Sequence, residues 1–340
     1  MPEPRLSRAS EAETRLPSPP APRRRNLMAI AVAAFVLGAV AATVYYLSQP
    51  EVLVANLVFG LLLGCVFAVI AHGLNLIWGV AKVVNVAHGE FIMLGAYGAY
   101  FLNLYFGINP LLSAPVDAAI GLAVGAGFYF GFLHRELRGK ESIGLQSEMV
   151  TLVATFGLAL FITNLALWAW TGNFVGIPWS PGSIQVGFLQ LPLGALYVGV
   201  ASVSIIALSH VFLSRTYLGN AIRAYSQDIP ATQLMGIDPT LVAAIGTALG
   251  FSITMAGGAL LSVWLPTGIN PGMGALYAPI SFVIVVLGGP GKMWGSLVGG
   301  ISLAVIIDVG QAFVGLSLAT AIAFLTLIPV LVFRPEGILR

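Results

Sequence analysis

Residues 52–78 read VLVANLVFGLLLGCVFAVIAHGLNLIW, and no Asp, Glu, Lys or Arg interrupts them. As a helix rising 1.5 Å per residue, the run would reach about 40 Å, enough to cross the ~30 Å hydrocarbon core of a bilayer. Such a stretch is too long for a buried helix of an ordinary globular domain, so it decides the class of the molecule. The pattern recurs. Apolar stretches also run over Leu27–Leu47, Val86–Phe106, Leu111–Leu133, Met149–Trp170, Leu191–Leu213, Leu241–Trp264, Ala275–Gly289, Trp294–Val314 and Leu318–Phe333. The expectation is an all-α, polytopic membrane helix bundle of about ten transmembrane segments, eight to ten. Ala275–Gly289 is short for a span and ends in glycines, which predicts a broken or re-entrant helix near the midplane.

Composition agrees. Of 340 residues, 58% are hydrophobic and 8% charged, where a soluble domain carries about 25% charged residues. Fifteen basic and thirteen acidic residues could not cover a water-facing surface of this size. A soluble enzyme, a nucleic-acid binder and a disordered scaffold are excluded. The single cysteine, Cys65, rules out an internal disulfide or a multi-cysteine metal site.

Residues 1–26 differ from the rest: they hold Arg5, Arg8, Arg15, Arg23, Arg24 and Arg25 among six prolines. They read as a disordered, basic cytoplasmic tail, and residues 27–340 as the transmembrane domain. Arg24-Arg25 faintly resembles a twin-arginine export signal. The apolar run behind it is longer than a signal core, and further spans follow, so a first membrane span is expected instead.

With the tail inside and ten spans, the inner segments hold Lys82, Arg135, Arg138, Lys140, Arg215, Arg223, Lys292, Arg334 and Arg340. With the six tail arginines these account for all fifteen basic residues, and the loop at 171–190 has none. That asymmetry predicts N-in, C-in. Gly60/Gly64, Gly121/Gly125, Gly127/Gly131, Gly246/Gly250 and Gly295/Gly299 have the four-residue spacing that lets helix backbones approach closely.

The inner loop over 214–240 is polar yet well punctuated. Asp228 can cap a short helix with Pro230 in its first turn. Gly236 can end that helix in a left-handed conformation, and Asp238-Pro239 can start the next span. Ile222, Leu234 and Met235 are its expected apolar contacts. A structured pair of short helices on the cytoplasmic face suggests that something docks there.

Gly219-Asn-Ala-Ile-Arg223-Ala, with Asp228, Ala231, Leu234, Gly236 and Asp238, resembles the cytoplasmic coupling loop of permeases from branched-chain amino acid (LIV-type) ABC importers. The likeness extends along most of the chain. It includes Asn85-Val-Ala-His88-Gly-Glu90, the glycine-rich Gly288-Gly289-Pro290-Gly291, and Arg334-Pro335-Glu336-Gly337. It departs at the long basic N-terminus, at His72, at Val86 in place of an aromatic, and at Pro290.

The resemblance implies a permease domain over 27–340 in a bacterial inner membrane. It implies two ABC ATPase subunits, a second permease forming a heterodimer, and an external solute-binding protein, with the lipid bilayer as surroundings. The coupling role would fall to Gly219, Arg223, Asp228, Ala231, Leu234, Gly236 and Asp238. The solute would be a branched-chain amino acid or a related small polar molecule such as urea, a short amide or an organic acid. The sequence has no Gly-x-x-x-x-Gly-Lys phosphate loop, so no cofactor is expected in this chain; ATP would be bound by the partner subunits.

Ionisable groups at membrane depth are costly and stand as functional candidates. His72 and Asn75 lie one turn apart and face one way. Asn85, His88 and Glu90 open a span, either lining a path or capping the helix and pairing with its neighbours. Asp308 and Gln311 share a face in the ninth span. Asp117 is expected near the outer interface, and His134 and His210 as boundary residues. A secondary transporter driven by an ion gradient is the alternative, with Asp308 as its main carboxylate.

Overall fold

In the computed structural model, residues 44, 48–137, 145–265, 267–334 and 337 are described. The chain divides into two compact units, residues 1–50 and 51–340, and apart from Pro50 the elements below belong to the second. The basic tail, nearly all of Leu27–Leu47, Arg138, Lys140 and Arg340 lie outside the described residues.

The helices are α1 (Pro50–Ala81), α2 (His88–Phe106), α3 (Pro110–Phe128), α4 (Leu145–Trp170), α5 (Leu193–Arg215), α6 (Tyr217–Gln227), α7 (Ile229–Leu234), α8 (Pro239–Trp264), α9 (Met273–Gly288), α10 (Met293–Leu325) and α11 (Leu327–Phe333). A π-type turn at Tyr129–Leu133 extends α3. Among the described residues, six stretches are long and apolar enough to cross a membrane. Each apolar segment after the first that the sequence marks out has a helical counterpart.

The core centres on α8, where 78% of the apolar stretch is buried, against 11% for the final stretch Trp294–Phe333. Small residues explain how so many helices reach α8. Gly250 lies against the Gly73 carbonyl of α1, Gly258 against the Ile92 carbonyl of α2, and Gly121 and Gly125 of α3 against Phe251 and Ala248. In its first half α1 turns to α10, with Gly60 and Gly64 facing Val305 and Ile301. Phe251 fills the space between helices as an aromatic wedge, 4.4 Å from Phe91 and 4.9 Å from Phe128 between ring centres. Four of the five glycine pairs thus pack on a neighbouring helix. Gly127 and Gly131 have nothing within reach of a β-carbon.

One expectation needs correction. The segment Ala275–Gly289 is not broken: α9 runs uninterrupted from Met273 to Gly288, with Pro279 inside it. A proline removes one helical hydrogen bond and can be held by its neighbours; Ile280, Ser281, Val283 and Ile284 beside it are buried. The all-α bundle carries one small β element in the loop before α5. Ser183–Val186 and Leu189–Pro192 form an antiparallel hairpin with Val186 opposite Leu189, and Val175 pairs with Ile269 through two backbone bonds of 2.8 and 2.9 Å. Asp117 is fully buried on the face of α3 that packs on α2 at Gly98.

Gly315 interrupts α10 with φ 76° and ψ 164°. A β-carbon on Gly310 would lie 3.3 Å from that of Ala319, whereas nine residues along a straight helix separate by about 14 Å. The chain therefore doubles back at Gly315, and Gly337 returns to within packing distance of Gly289. The separate segments 294–314 and 318–333 survive as the two arms of this hairpin.

Candidate functional site

The α6–α7 pair is built by local signals. Thr216 caps α6, its Oγ1 accepting from Gly219 N at 3.0 Å. Asp228 caps α7, accepting from Ala231 N at 2.9 Å, and Asp238 caps α8, accepting from Thr240 N at 2.8 Å. Pro230 and Pro239 occupy first-turn positions of α7 and α8. Gly236 has φ +77° at the end of α7, where its N–H reaches Gln233 O at 2.9 Å.

Packing gives α6 a buried and an exposed side. Gly219 sits against the Phe212 carbonyl and Leu213 of α5, so that a side chain there would push the two helices apart. Ala221, Ile222 and Tyr225 are buried in a cluster with Leu213, Val242 and Ala243. Burial pushes the Tyr225 phenol above its ordinary pKa. Ile222 is thus an apolar contact as expected, but Leu234 and Met235 are not. They are 89% and 80% exposed, and Tyr217 is 75% exposed. Six-residue α7 turns them outward, because Thr232 occupies its buried position. Arg223 is exposed and donates to Asn220 Oδ1 at 2.5 Å. Ala231, Gly236 and Asp238 are also exposed. The result is a short, capped element anchored to α5 and presenting a small apolar knob.

Behind α6 lies a polar junction. His72 Nε2 is 2.8 Å from Ser209 Oγ of α5. One turn further along α1, Asn75 Nδ2 donates to Lys292 O at 2.7 Å and to Ser296 Oγ at 2.9 Å, while Asn75 Oδ1 accepts from Gly291 N at 2.5 Å. A cleft of about 70 Å³ joins His72, Asn75 and Gly291 to Ile222, Arg223 and Ser226 of α6. His210 adds a ring contact of 5.0 Å to Trp294. Spacing along α1 brings His72 and Asn75 to one face; their serine partners, Ser209 on α5 and Ser296 on α10, carry no sequence signal, each being one of several serines in an apolar helix.

The second polar group opens α2. Asn85 Oδ1 accepts from Ala87 N at 3.1 Å, three residues ahead of Glu90 in the chain turn that starts the helix. His88 Nε2 lies 3.0 Å from Ile70 O of α1, and Glu90 Oε1 accepts from Thr163 Oγ1 of α4 at 3.1 Å. All three are buried. Each of them bonds within the chain, so the start of α2 joins α1 to α4. Asp308 is elsewhere, on α10, accepting from Gln311 Nε2 at 2.8 Å beside Gly60. Among the described residues no three metal-ligating side chains come together.

Comparison with known proteins follows the same elements. Residues 56–332 match the family model of the permease component of branched-chain amino acid transport systems. The permease protein BraD of a high-affinity branched-chain amino acid transport system from Pseudomonas aeruginosa is 30% identical over 311 residues, covering 86% of this chain and 97% of its own. LivH of Salmonella typhimurium, of the same description, is 26% identical and covers 82% of this chain and 93% of its own. LivM of Salmonella typhimurium is 27% identical over 301 residues, covering 81% of this chain and 68% of its own. No solved structure matches.

Proposed function

Because the chain belongs to the family of permease components of branched-chain amino acid transport systems, we propose that it carries a branched-chain amino acid or a related small polar solute into a bacterial cell. In this reading it sits in the inner membrane beside a second, different permease. Two ABC ATPase subunits dock on its cytoplasmic face, and an external binding protein delivers the solute. The chain is N-in and C-in, which the one-sided distribution of its basic residues supports.

The α6–α7 element carries the reading. It is the exposed, capped feature at the end where Arg215, Arg223 and Lys292 gather. Leu234 and Met235 give an ATPase subunit an apolar anchor. Gly219 lets α6 seat directly on α5, so that a push on the knob moves a membrane helix rather than a loose loop. Arg223 and Asp228 flank this contact. ATP-driven closure of the partner subunits then selects between two access states by binding one more tightly than the other. Asn85, His88 and Glu90 support the path by holding α1, α2 and α4 together.

The test is reconstitution. Proteoliposomes holding both permeases and both ATPases, with binding protein outside and ATP inside, should concentrate labelled leucine or valine. Urea, a short amide and an organic acid serve as competing solutes. Uphill accumulation by the isolated chain, or uptake collapsed by a protonophore while insensitive to ATP, would overturn the proposal.

A further inference from the structure

Asn75 is 2% exposed, and its amide N–H groups and carbonyl are engaged with the turn between α9 and α10 and with Ser296 in the first turn of α10. The bonding pattern defines its orientation. Lys292 O can only accept, so it must face the NH₂ group; Gly291 N can only donate, so it must face the oxygen. The turn itself is a tight one, with Gly289 and Gly291 at φ +97° and +78°. Gly79, one turn beyond Asn75, packs against the Gly291 α-carbon, and Gly337 packs on Gly289 from the other side.

We infer that Asn75 is a positioning residue, the joint that makes the α9–α10 turn move with the inner end of α1. The route to α6 is continuous. α6 seats on Phe212 and Leu213 of α5, Ser209 of α5 meets His72 of α1, and Asn75 grips the turn three residues further along α1. The three bonds are directional and converge on a side chain that is 2% exposed, so a displacement of α6 drags the turn or breaks the joint. Asn75 borders the small cleft beside α6, but its three hydrogen bonds all go to the protein itself. This inference rests on the permease reading above.

Two measurements on the full complex test it. The first is solute moved per ATP hydrolysed by complexes in proteoliposomes. Asn75→Leu keeps the side-chain volume and removes all three bonds, and is expected to lower that ratio about tenfold or more; Ser296→Ala removes a single bond and should lower it about threefold. Combining the two should do no more than Asn75→Leu alone, since the Ser296 bond is already gone. A wild-type ratio in Asn75→Leu overturns the joint, and so does a proportional fall in uptake and hydrolysis, which marks a merely structural role. Where Asn75→Leu does not assemble, Ser296→Ala decides, and a wild-type ratio there overturns it.

The second measurement is hydrogen exchange of the complex in lipid nanodiscs. Peptides covering 289–293 should exchange about tenfold faster in Asn75→Leu while those of α8 do not change. Unaltered exchange at 289–293 overturns the joint. If the wild-type complex moves no solute with ATP, the permease reading fails, while exchange at the turn still judges the joint.

Discussion

A β-carbon on residue 258 would meet the carbonyl oxygen of Ile92, and one on residue 95 would meet that of Met255. At both positions the obstacle is backbone, which cannot rotate away as a side chain can. Gly258→Val should therefore force α2 off α8 and cost about 1–3 kcal/mol, read as a lower unfolding temperature in detergent. Gly127→Ala is the control: nothing lies within 4 Å of its β-carbon, and a helical alanine is favoured over glycine by about 1 kcal/mol. It should match or exceed wild type. Equal losses for the two would mean that close approach is not what holds these helices together. Thr163→Val addresses polar satisfaction instead. It strips buried Glu90 of its hydroxyl donor and should cost about 1–3 kcal/mol in the same melt.

Among elements, α6–α7 stands apart because its caps and its exposed knob serve different ends. Gly236 adopts φ +77°, which a proline ring held near −65° cannot reach. Gly236→Pro should re-aim the link between α7 and α8 and uncouple hydrolysis from uptake, while the purified complex stays monodisperse. Normal coupled uptake in that variant would argue strongly against this site. Leu234→Asp with Met235→Asp puts charge on the knob without touching its buried side. Co-purification of the ATPase subunits should then fall by at least tenfold, the scale of a lost hot spot of about 2 kcal/mol. Unchanged recovery would show that the partners dock elsewhere.

Across the whole molecule, the proposed N-in, C-in orientation would put α6–α7 in the cytoplasm and the β-hairpin outside, and it can be tested directly. Cys65 is the one cysteine of the chain, so a Cys65→Ala background allows labelling site by site. Gln185→Cys, on the exposed strand Ser183–Val186, should react with an impermeant maleimide on intact cells. Gln233→Cys, exposed on α7, should react only after permeabilisation. The opposite pattern would invert the topology and remove α6–α7 from reach of any cytoplasmic ATPase.

Hydropathy alone determined that this chain is a helical membrane protein and where its helices run, because a bilayer requires every crossing backbone to satisfy its own hydrogen bonds. The caps at Asp228 and Asp238 and the helix end at Gly236 were equally legible, since a cap depends on neighbours within four residues. Residues whose partners are distant in sequence were not. Asn75 reads as one more polar residue in an apolar run, yet its bonding partners lie 216 to 221 residues away. Leu234 and Met235 read as apolar contacts of the loop, and only the burial of Thr232 on α7 leaves them facing outward. The tight turn at Gly315 and the unbroken course of α9 through Pro279 belong to the same class. In each case the outcome rests on which helix comes alongside, a choice made by close packing between segments far apart in the chain.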